Sequence, residues 1–205
     1  MRIGVLGSGN MAEALGGRWA AAGHEVLIGG RSPAKSQGVA SRIGAEAGSP
    51  EDATTFGDAV LLAVPAAAAV DVLGTAPDQV VIDCTNSVIP GRFVLDEPRA
   101  AARLAATSGA HVVKAFNMCH VDVWRRPDLT FEGRPLAVPL CGDSPHALDT
   151  VRELVRSIGC VPLDGGPLER AELLEATTAF AIGLWINGAD ARSMFPTSTS
   201  TGAGT

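Results

Sequence analysis

The sequence predicts an α/β fold, a doubly wound and mostly parallel sheet followed by a small C-terminal helical segment. Three observations predict it. Short continuous runs of Val, Ile, Leu and Ala recur along the chain, as in strands buried on both faces. Helical patterns, with apolar residues three and four apart, alternate with these runs. Glycine and proline, at 24 and 13 of 205 residues, are frequent enough to supply the many tight turns that such alternation needs.

The elements follow in order. Arg2–Leu6 reads as a strand, and 10–22 as a helix with Met11, Leu15 and Trp19 on one face and Gly23 to stop it. Residues 25–28 form the second strand and 34–47 a weaker helix. A third strand over 59–64 ends at Pro65, and a fourth covers 79–83. Residues 99–106 are helical, 111–115 form the fifth strand and 136–141 the sixth. Ser144-Pro145 opens a helix with Leu148, Val151, Val155 and Ile158 on one face and Gly159 after it, leading to a last strand over 160–163. Beyond Asp164 the pattern changes to one long helix over 168–185, with Leu173, Leu174, Phe180, Leu184 and Trp185 spread over more than one face. A helix of that kind needs a partner to cover it, so a homodimer through this C-terminal helix is expected.

Composition narrows the function. With 46% hydrophobic and 19% charged residues the chain is not disordered. A net charge of −6 argues against nucleic acid or an anionic membrane as partner. Aromatic residues are 4% with no Tyr, which argues against a stacking platform for single strands. No apolar run is long enough to span a membrane, and the first is too short for a signal-peptide core. Cys84, Cys119, Cys141 and Cys160 are well spread and form no Cys-x-x-Cys, as expected of reduced thiols in the cytoplasm. His24, His111, His120 and His146 show no ligand spacing, so no metal is expected.

The most informative segment joins the first strand to the first helix. Gly7-Ser8-Gly9-Asn10-Met11-Ala12 reads G-x-G-x-x-A. The first glycine permits the tight turn, the second admits a pyrophosphate to the backbone, and Ala12 lets helix and strand pack closely. The helix N-terminus offers free amides and the positive end of its dipole. In this strand–turn–helix setting the motif marks a dinucleotide-binding Rossmann domain, placed at 1–164, with a small helical domain over 165–196 and a disordered tail over 197–205. The second strand ends in Gly29-Gly30-Arg31-Ser32-Pro33-Ala34-Lys35, with no carboxylate for a ribose 2′-hydroxyl. Arg31, Ser32 and Lys35 suit a 2′-phosphate instead, so the expected cofactor is NADP(H).

Ligands of open parallel sheets lie beyond the carboxyl ends of the strands. Val64 and Pro65, Asn86, and Ala115 and Asn117 occupy those ends and complete the predicted cofactor-binding set with Gly7, Ser8, Gly9, Asn10 and Met11. Asn86 and Asn117 are candidates for holding a carboxamide, a ribose or the substrate, as against capping their own turns. Lys114 is open to two readings, a substrate-side donor or an inter-strand lysine reaching solvent.

These segments together resemble the NADPH-dependent deazaflavin reductases, which use coenzyme F-420 (F420). The resemblance runs through residues 3–10, Ala22-Gly23-His24-Glu25-Val26, 29–32, Asp83-Cys84-Thr85-Asn86, 112–117, Cys141-Gly142-Asp143 and Asp164-Gly165-Gly166-Pro167-Leu168. It covers the chain to about residue 190. The nucleotide domain is also similar to that of pyrroline-5-carboxylate reductases. The resemblance implies a deazaflavin or other small-molecule acceptor lying against the nicotinamide, between the Rossmann domain and the C-terminal helix. The chain departs from the family pattern at Ser87, where Pro is usual, and at Gly30, where Ser is usual, so one phosphate donor is missing. It departs again in the loop Met118-Cys119-His120-Val121-Asp122-Val123-Trp124 and from Asn187 onward.

Hydride transfer needs two carbons held in near contact and water excluded, and a deazaflavin acceptor needs no strong acid. A C=N or C=C substrate would need a proton donor, and His120 and Cys119 are the candidate catalytic residues. Three readings stand: an oxidoreductase exchanging hydride between NADP(H) and coenzyme F420, an NADPH-dependent reductase of a small C=N or C=C substrate, and a non-enzymatic NADPH-binding module.

Overall fold

The computed structural model describes residues 1–189. The expected tail over 197–205 and the end of the 165–196 segment lie outside these residues.

The chain alternates strand and helix from its start: β1 (Arg2–Leu6), α1 (Asn10–Ala21), β2 (Glu25–Gly29), α2 (Pro33–Ile43), β3 (Glu46–Gly48), α3 (Pro50–Thr55), β4 (Ala59–Leu62), α4 (Ala69–Leu73), β5 (Val80–Asp83), α5 (Ala100–Ser108) and β6 (His111–Lys114). A short helix α6 (Val121–Trp124) and a small hairpin of β7 (Thr130–Phe131) and β8 (Arg134–Pro135) follow. The chain ends in β9 (Ala137–Gly142), α7 (Pro145–Ser157), β10 (Val161–Asp164) and α8 (Ala171–Ile186).

The main sheet has eight strands in the order β10-β9-β6-β5-β4-β1-β2-β3. Six of them, β6-β5-β4-β1-β2-β3, reproduce the Rossmann order and pair in parallel. β9 then joins β6 antiparallel, with Lys114 opposite Cys141, and β10 runs parallel to β9. Two apolar clusters cover the two faces. One gathers Leu15, Trp19, Val39 and Leu154 from α1, α2 and α7. The other gathers Ala53, Leu73, Leu104 and Ala171 from α3, α4, α5 and α8. β1 feeds both, because Ile3 and Val5 face the first cluster and Leu6 the second.

The expected helix over 34–47 is corrected to a shorter helix and a strand, with a further helix after them. α2 stops at Ile43 because Gly44 takes a left-handed φ of 71° that other residues rarely adopt. Residues 46–48 then add an edge strand beside β2. Ser49 and Asp52 form a reciprocal capping box that starts α3, with Pro50 in its first turn. The helical stretch from Ala66 to Leu73 is also additional to the sequence reading.

Candidate functional site

The strand order reverses between β1 and β4, and the crevice there opens outside their carboxyl ends. It forms a cleft of about 590 Å³. Gly7 makes the turn out of β1 at φ +122°, and a Cβ on it would lie 2.3 Å from the Ala63 carbonyl oxygen. Its N–H donates to the Gly29 carbonyl at 2.7 Å, tying the turn to β2. Gly9 differs in kind. It is the N-cap of α1 with no side-chain cap, and a Cβ there meets nothing within 4 Å. The free amides at the start of α1 therefore face open space where backbone and an anion can approach each other.

The cleft continues to the end of β2, where Arg31, Ser32 and Lys35 line it with Ser8. Ser32 caps α2, its hydroxyl accepting from the Lys35 N–H at 3.4 Å. Val64 and Pro65 form the opposite wall. Gly30 lines the same end of the cleft. A Cβ there would lie 2.9 Å from the Ser36 hydroxyl oxygen and 3.1 Å from that of Ser8, so buried Ser36 already fills the space. Sequence reasoning missed Pro50, Glu51, Ala68, Asp71 and Val72, which also line the cleft. Pro50 and Glu51 come from α3, Asp71 and Val72 from α4 and Ala68 from the helical turn just before α4, which only the path of the chain brings to it. The Ser49 capping box was the local signal for α3.

A second cavity of about 270 Å³ lies beyond the other end of the glycine turn. Asn10 and Met11 line it together with Asn86, Asn117, Cys119 and His120. The glycine turn thus serves both spaces, Gly7 to Gly9 the large cleft and Asn10 and Met11 the smaller one. Helix α8 closes the small cavity with Thr178, Ile182 and Trp185. Ala115 enters neither space; it is fully buried at the end of β6.

The two asparagines interlock. Asn86 Nδ2 donates to the Asn117 carbonyl at 2.9 Å, which leaves its Oδ1 to accept from Asn117 Nδ2 at 3.0 Å. Thr178 on α8 adds a contact to Asn117 Nδ2 at 3.4 Å. Just before Asn117, Phe116 adopts a left-handed φ of 63° and packs edge-on between Trp19 and Trp124, with ring centroids 5.7 and 5.4 Å away. Such a conformation costs about 1–3 kcal/mol in a bulky residue and persists only where packing over-determines it. It turns the chain out of β6 so that Asn117 reaches the cavity.

Beneath the asparagines lies a buried ion cluster. Lys114, with no exposed surface, places Nζ 3.0 Å from Asp83 Oδ2 and 2.7 Å from Glu175 Oε1, and donates to the Thr85 carbonyl at 2.6 Å. Burial pulls the Lys114 ammonium down, but the two facing carboxylates outweigh it and leave its pKa raised. Burial also raises Glu175, with Lys114 offsetting part of the effect. Lys114 is thus neither a substrate donor nor a lysine reaching solvent. It joins β5 and β6 to α8.

His120 caps α6, its Nδ1 accepting from the Asp122 N–H at 3.3 Å, and 65% of its side chain is exposed at the cavity rim. Cys119 is half-buried, and burial pushes its thiol up to about 11. It stays protonated at neutral pH. All four cysteines are free. Among the described residues no group of three or more His, Cys, Asp or Glu is placed to hold a metal ion, and no helix is long and apolar enough to cross a membrane.

The open Gly9 position, the uncapped start of α1 and the cationic pair at the end of β2 fit a phosphorylated dinucleotide. Comparison with known proteins agrees. The family described as NADP oxidoreductase, coenzyme F420-dependent, matches residues 2–87. The F420-dependent NADP reductase of Methanothermobacter thermautotrophicus is 32% identical over 90% of this chain and 89% of its own length. Metalloreductase STEAP3 of Rattus norvegicus is 27% identical over 90% of this chain, which spans 38% of that longer protein. A crystal structure from Arthrobacter sp. FB24, provisionally described as an F420-dependent NADP-reductase, superposes with a TM-score of 0.78 at 23% identity. The match covers 91% of this chain and 95% of that one and bears on the fold alone.

Proposed function

Since the chain belongs to the F420-dependent NADP reductase family, an NADP-dependent oxidoreductase family, we propose that it exchanges a hydride between NADP(H) and the deazaflavin coenzyme F420. The observation that carries this reading is the pairing of two spaces along one glycine turn, a large cleft with a cationic end and a small cavity with no strong acid buried in it. The bound nicotinamide supplies the hydride. The chain does the rest by position. The α1 N-terminus binds the pyrophosphate, and Arg31 and Lys35 take the 2′-phosphate. Asn86 and Asn117, held rigid by each other and by Thr178, orient the carboxamide end. Ile182 and Trp185 exclude water from the transfer point. Anaerobic mixing of the protein with NADPH and oxidised F420 tests the reading. Bleaching of the deazaflavin band at the rate of NADPH loss supports it, and no exchange in either direction rejects it.

A second reading rests on His120, whose imidazole stands at the cavity rim. For a C=N substrate it would donate the proton that accompanies the hydride. His120→Ala separates the two readings. Deazaflavin turnover changes little, while reduction of a cyclic imine, if that is the true substrate, falls by about 10²-fold or more. The four free thiols suit the reducing cytoplasm in which either reaction is placed. Saturable NADPH binding with no turnover of any acceptor would instead favour a non-enzymatic binding module.

Cofactor choice gives a further expectation. NADPH binds at least about tenfold more tightly than NADH, a modest 1.4 kcal/mol or so for charge-assisted phosphate contacts. Arg31→Ala weakens NADPH and spares NADH. Titration of both nucleotides by fluorescence checks this, and equal affinities in the unaltered protein contradict it.

Helix α8 supports a homodimer. It exposes Leu173, Phe180 and Ile186 at 56, 58 and 66% beside the cavity it closes. Pairing α8 with its copy about a two-fold axis covers these side chains and steadies the cavity wall. Trp185 lines the cavity, so Leu173→Ser with Phe180→Ser is the cleaner disruption. Sedimentation is expected to show a dimer at tens of micromolar and a monomer for the double variant. A monomeric unaltered chain rejects the proposal.

A further inference from the structure

The side of α1 away from the nucleotide cleft carries a second polar feature. Arg18, Arg125 and Arg126 surround a shallow groove of about 350 Å³, floored by Ala14 and Gly17. Three guanidiniums around one groove stand out in a chain of net charge −6. Their partners leave donors free. Arg18 spends only Nε, on the Trp124 carbonyl at 2.9 Å. Arg126 stacks on the Phe131 ring, 4.9 Å from its centroid. Among the described residues neither has a carboxylate within ion-pair distance. Glu13, the one carboxylate lining the groove, is neutralised from outside it. Both its oxygens accept from Arg42, at 2.6 and 3.1 Å, and that bond holds its carboxyl below the usual range.

Arg125 joins this groove to the acceptor cavity. Its Nη1 meets Asp122 at 3.2 Å, and its Nη2 donates to Asn10 Oδ1 at 2.9 Å. Asn10 in turn lines the small cavity. A ligand whose ring sits in that cavity therefore finds guanidinium donors along the path leading out of it.

We propose that the groove is an anion subsite for the hydride acceptor, in which a phosphate or carboxylate side chain lies along Arg18, Arg125 and Arg126 while the reacting ring occupies the cavity. The proposal rests on the oxidoreductase reading above and adds where a flexible anionic chain on the acceptor's ring would be held. Guanidinium forks suit such oxygens, and because the groove is open to solvent the attraction is screened by salt. The subsite acts on binding rather than on the transfer step, so its signature is in KM.

Two deazaflavins with the same ring test it in the NADPH-supplied full chain. One is F420 with its anionic side chain, and the other carries only a neutral ribityl chain. In the unaltered protein at low ionic strength, KM for the charged compound is expected to be about tenfold below that for the neutral one, with similar kcat. Arg18→Gln with Arg126→Gln removes that ratio, and so does 0.5 M salt, at about a 4 Å Debye length. A ratio that survives the double replacement, or no ratio at the start, overturns the proposal. If neither deazaflavin is reduced, the functional reading fails by itself. The subsite is then judged by titrating tripolyphosphate calorimetrically into NADP-saturated protein. Saturable binding lost in the double variant sustains it, and equal heats from both proteins overturn it.

Discussion

Gly9→Val is expected to abolish NADPH binding while the fold stands, and Gly7→Ala to destabilise the fold itself. A side chain at Gly9 meets no protein atom within 4 Å, and its backbone, at φ −94° and ψ −171°, suits any residue. Folding stability should fall by only about 1 kcal/mol, the loss expected when an N-cap glycine gives way to valine. The valine methyls would occupy the space into which the uncapped amides of α1 point. Binding should weaken by more than about 100-fold, roughly 2.7 kcal/mol. At Gly7 the added methyl collides with the Ala63 carbonyl at 2.3 Å and forces a φ of +122° on a residue with a Cβ. Such overpacking costs about 1–3 kcal/mol before the backbone strain is added. Urea denaturation and nucleotide titration of both variants check the contrast. Native NADPH affinity in Gly9→Val would place the phosphate site elsewhere.

Lys114→Met is expected to be the most destabilising single change in the molecule. It leaves Asp83 and Glu175 buried, at 1% and 0% exposure, without the ammonium between them. Breaking a buried cluster from one side costs about 3–5 kcal/mol, a large share of the 5–15 or so that a domain has. Adding Glu175→Leu should recover part of the loss, because a carboxylate no longer sits buried without its counter-ion. The pH dependence has a definite sign. In the unaltered protein the folded pKa of Lys114 is raised, so its contribution is fully present below the unfolded value of about 10.4 and is lost as pH rises through the folded one. In Lys114→Met the buried Glu175, already raised, loses the charge that held it down. The variant therefore regains stability as pH falls from 8 toward 5 and loses it as pH rises. Denaturation midpoints at those two values decide it, and a difference that does not narrow on acidification contradicts the assignment. Because Glu175 and Thr178 share α8, the change should also loosen Asn117 and depress turnover.

The two variants mark the boundary between what local sequence carries and what it does not. The large cleft was legible because its principal parts are contiguous in the chain. A glycine turn, the helix that starts after it and the residues ending the next strand are each set by neighbours a few positions away. The error over 34–47 was of the same local kind. Ala45 and Ala47 continued an apolar pattern past Gly44, and only the left-handed backbone at that glycine revealed the break.

The small cavity was legible only in part. Asn86, Asn117, Cys119 and His120 were picked out, and they do line one cavity. Nothing near Lys114 in the chain pointed to Glu175, which approaches it from the far end of the molecule. The sequence by itself determined the sheet order's Rossmann half, the glycine turn after β1 and the cationic residues at the end of β2, because each follows from short-range backbone geometry and residue type. The tertiary structure decided where α8 docks, that Lys114 is sealed between two carboxylates, and that three arginines converge beside the cavity. Those outcomes depend on burial and charge pairing between distant segments, which cancel or reinforce only once the chain has packed.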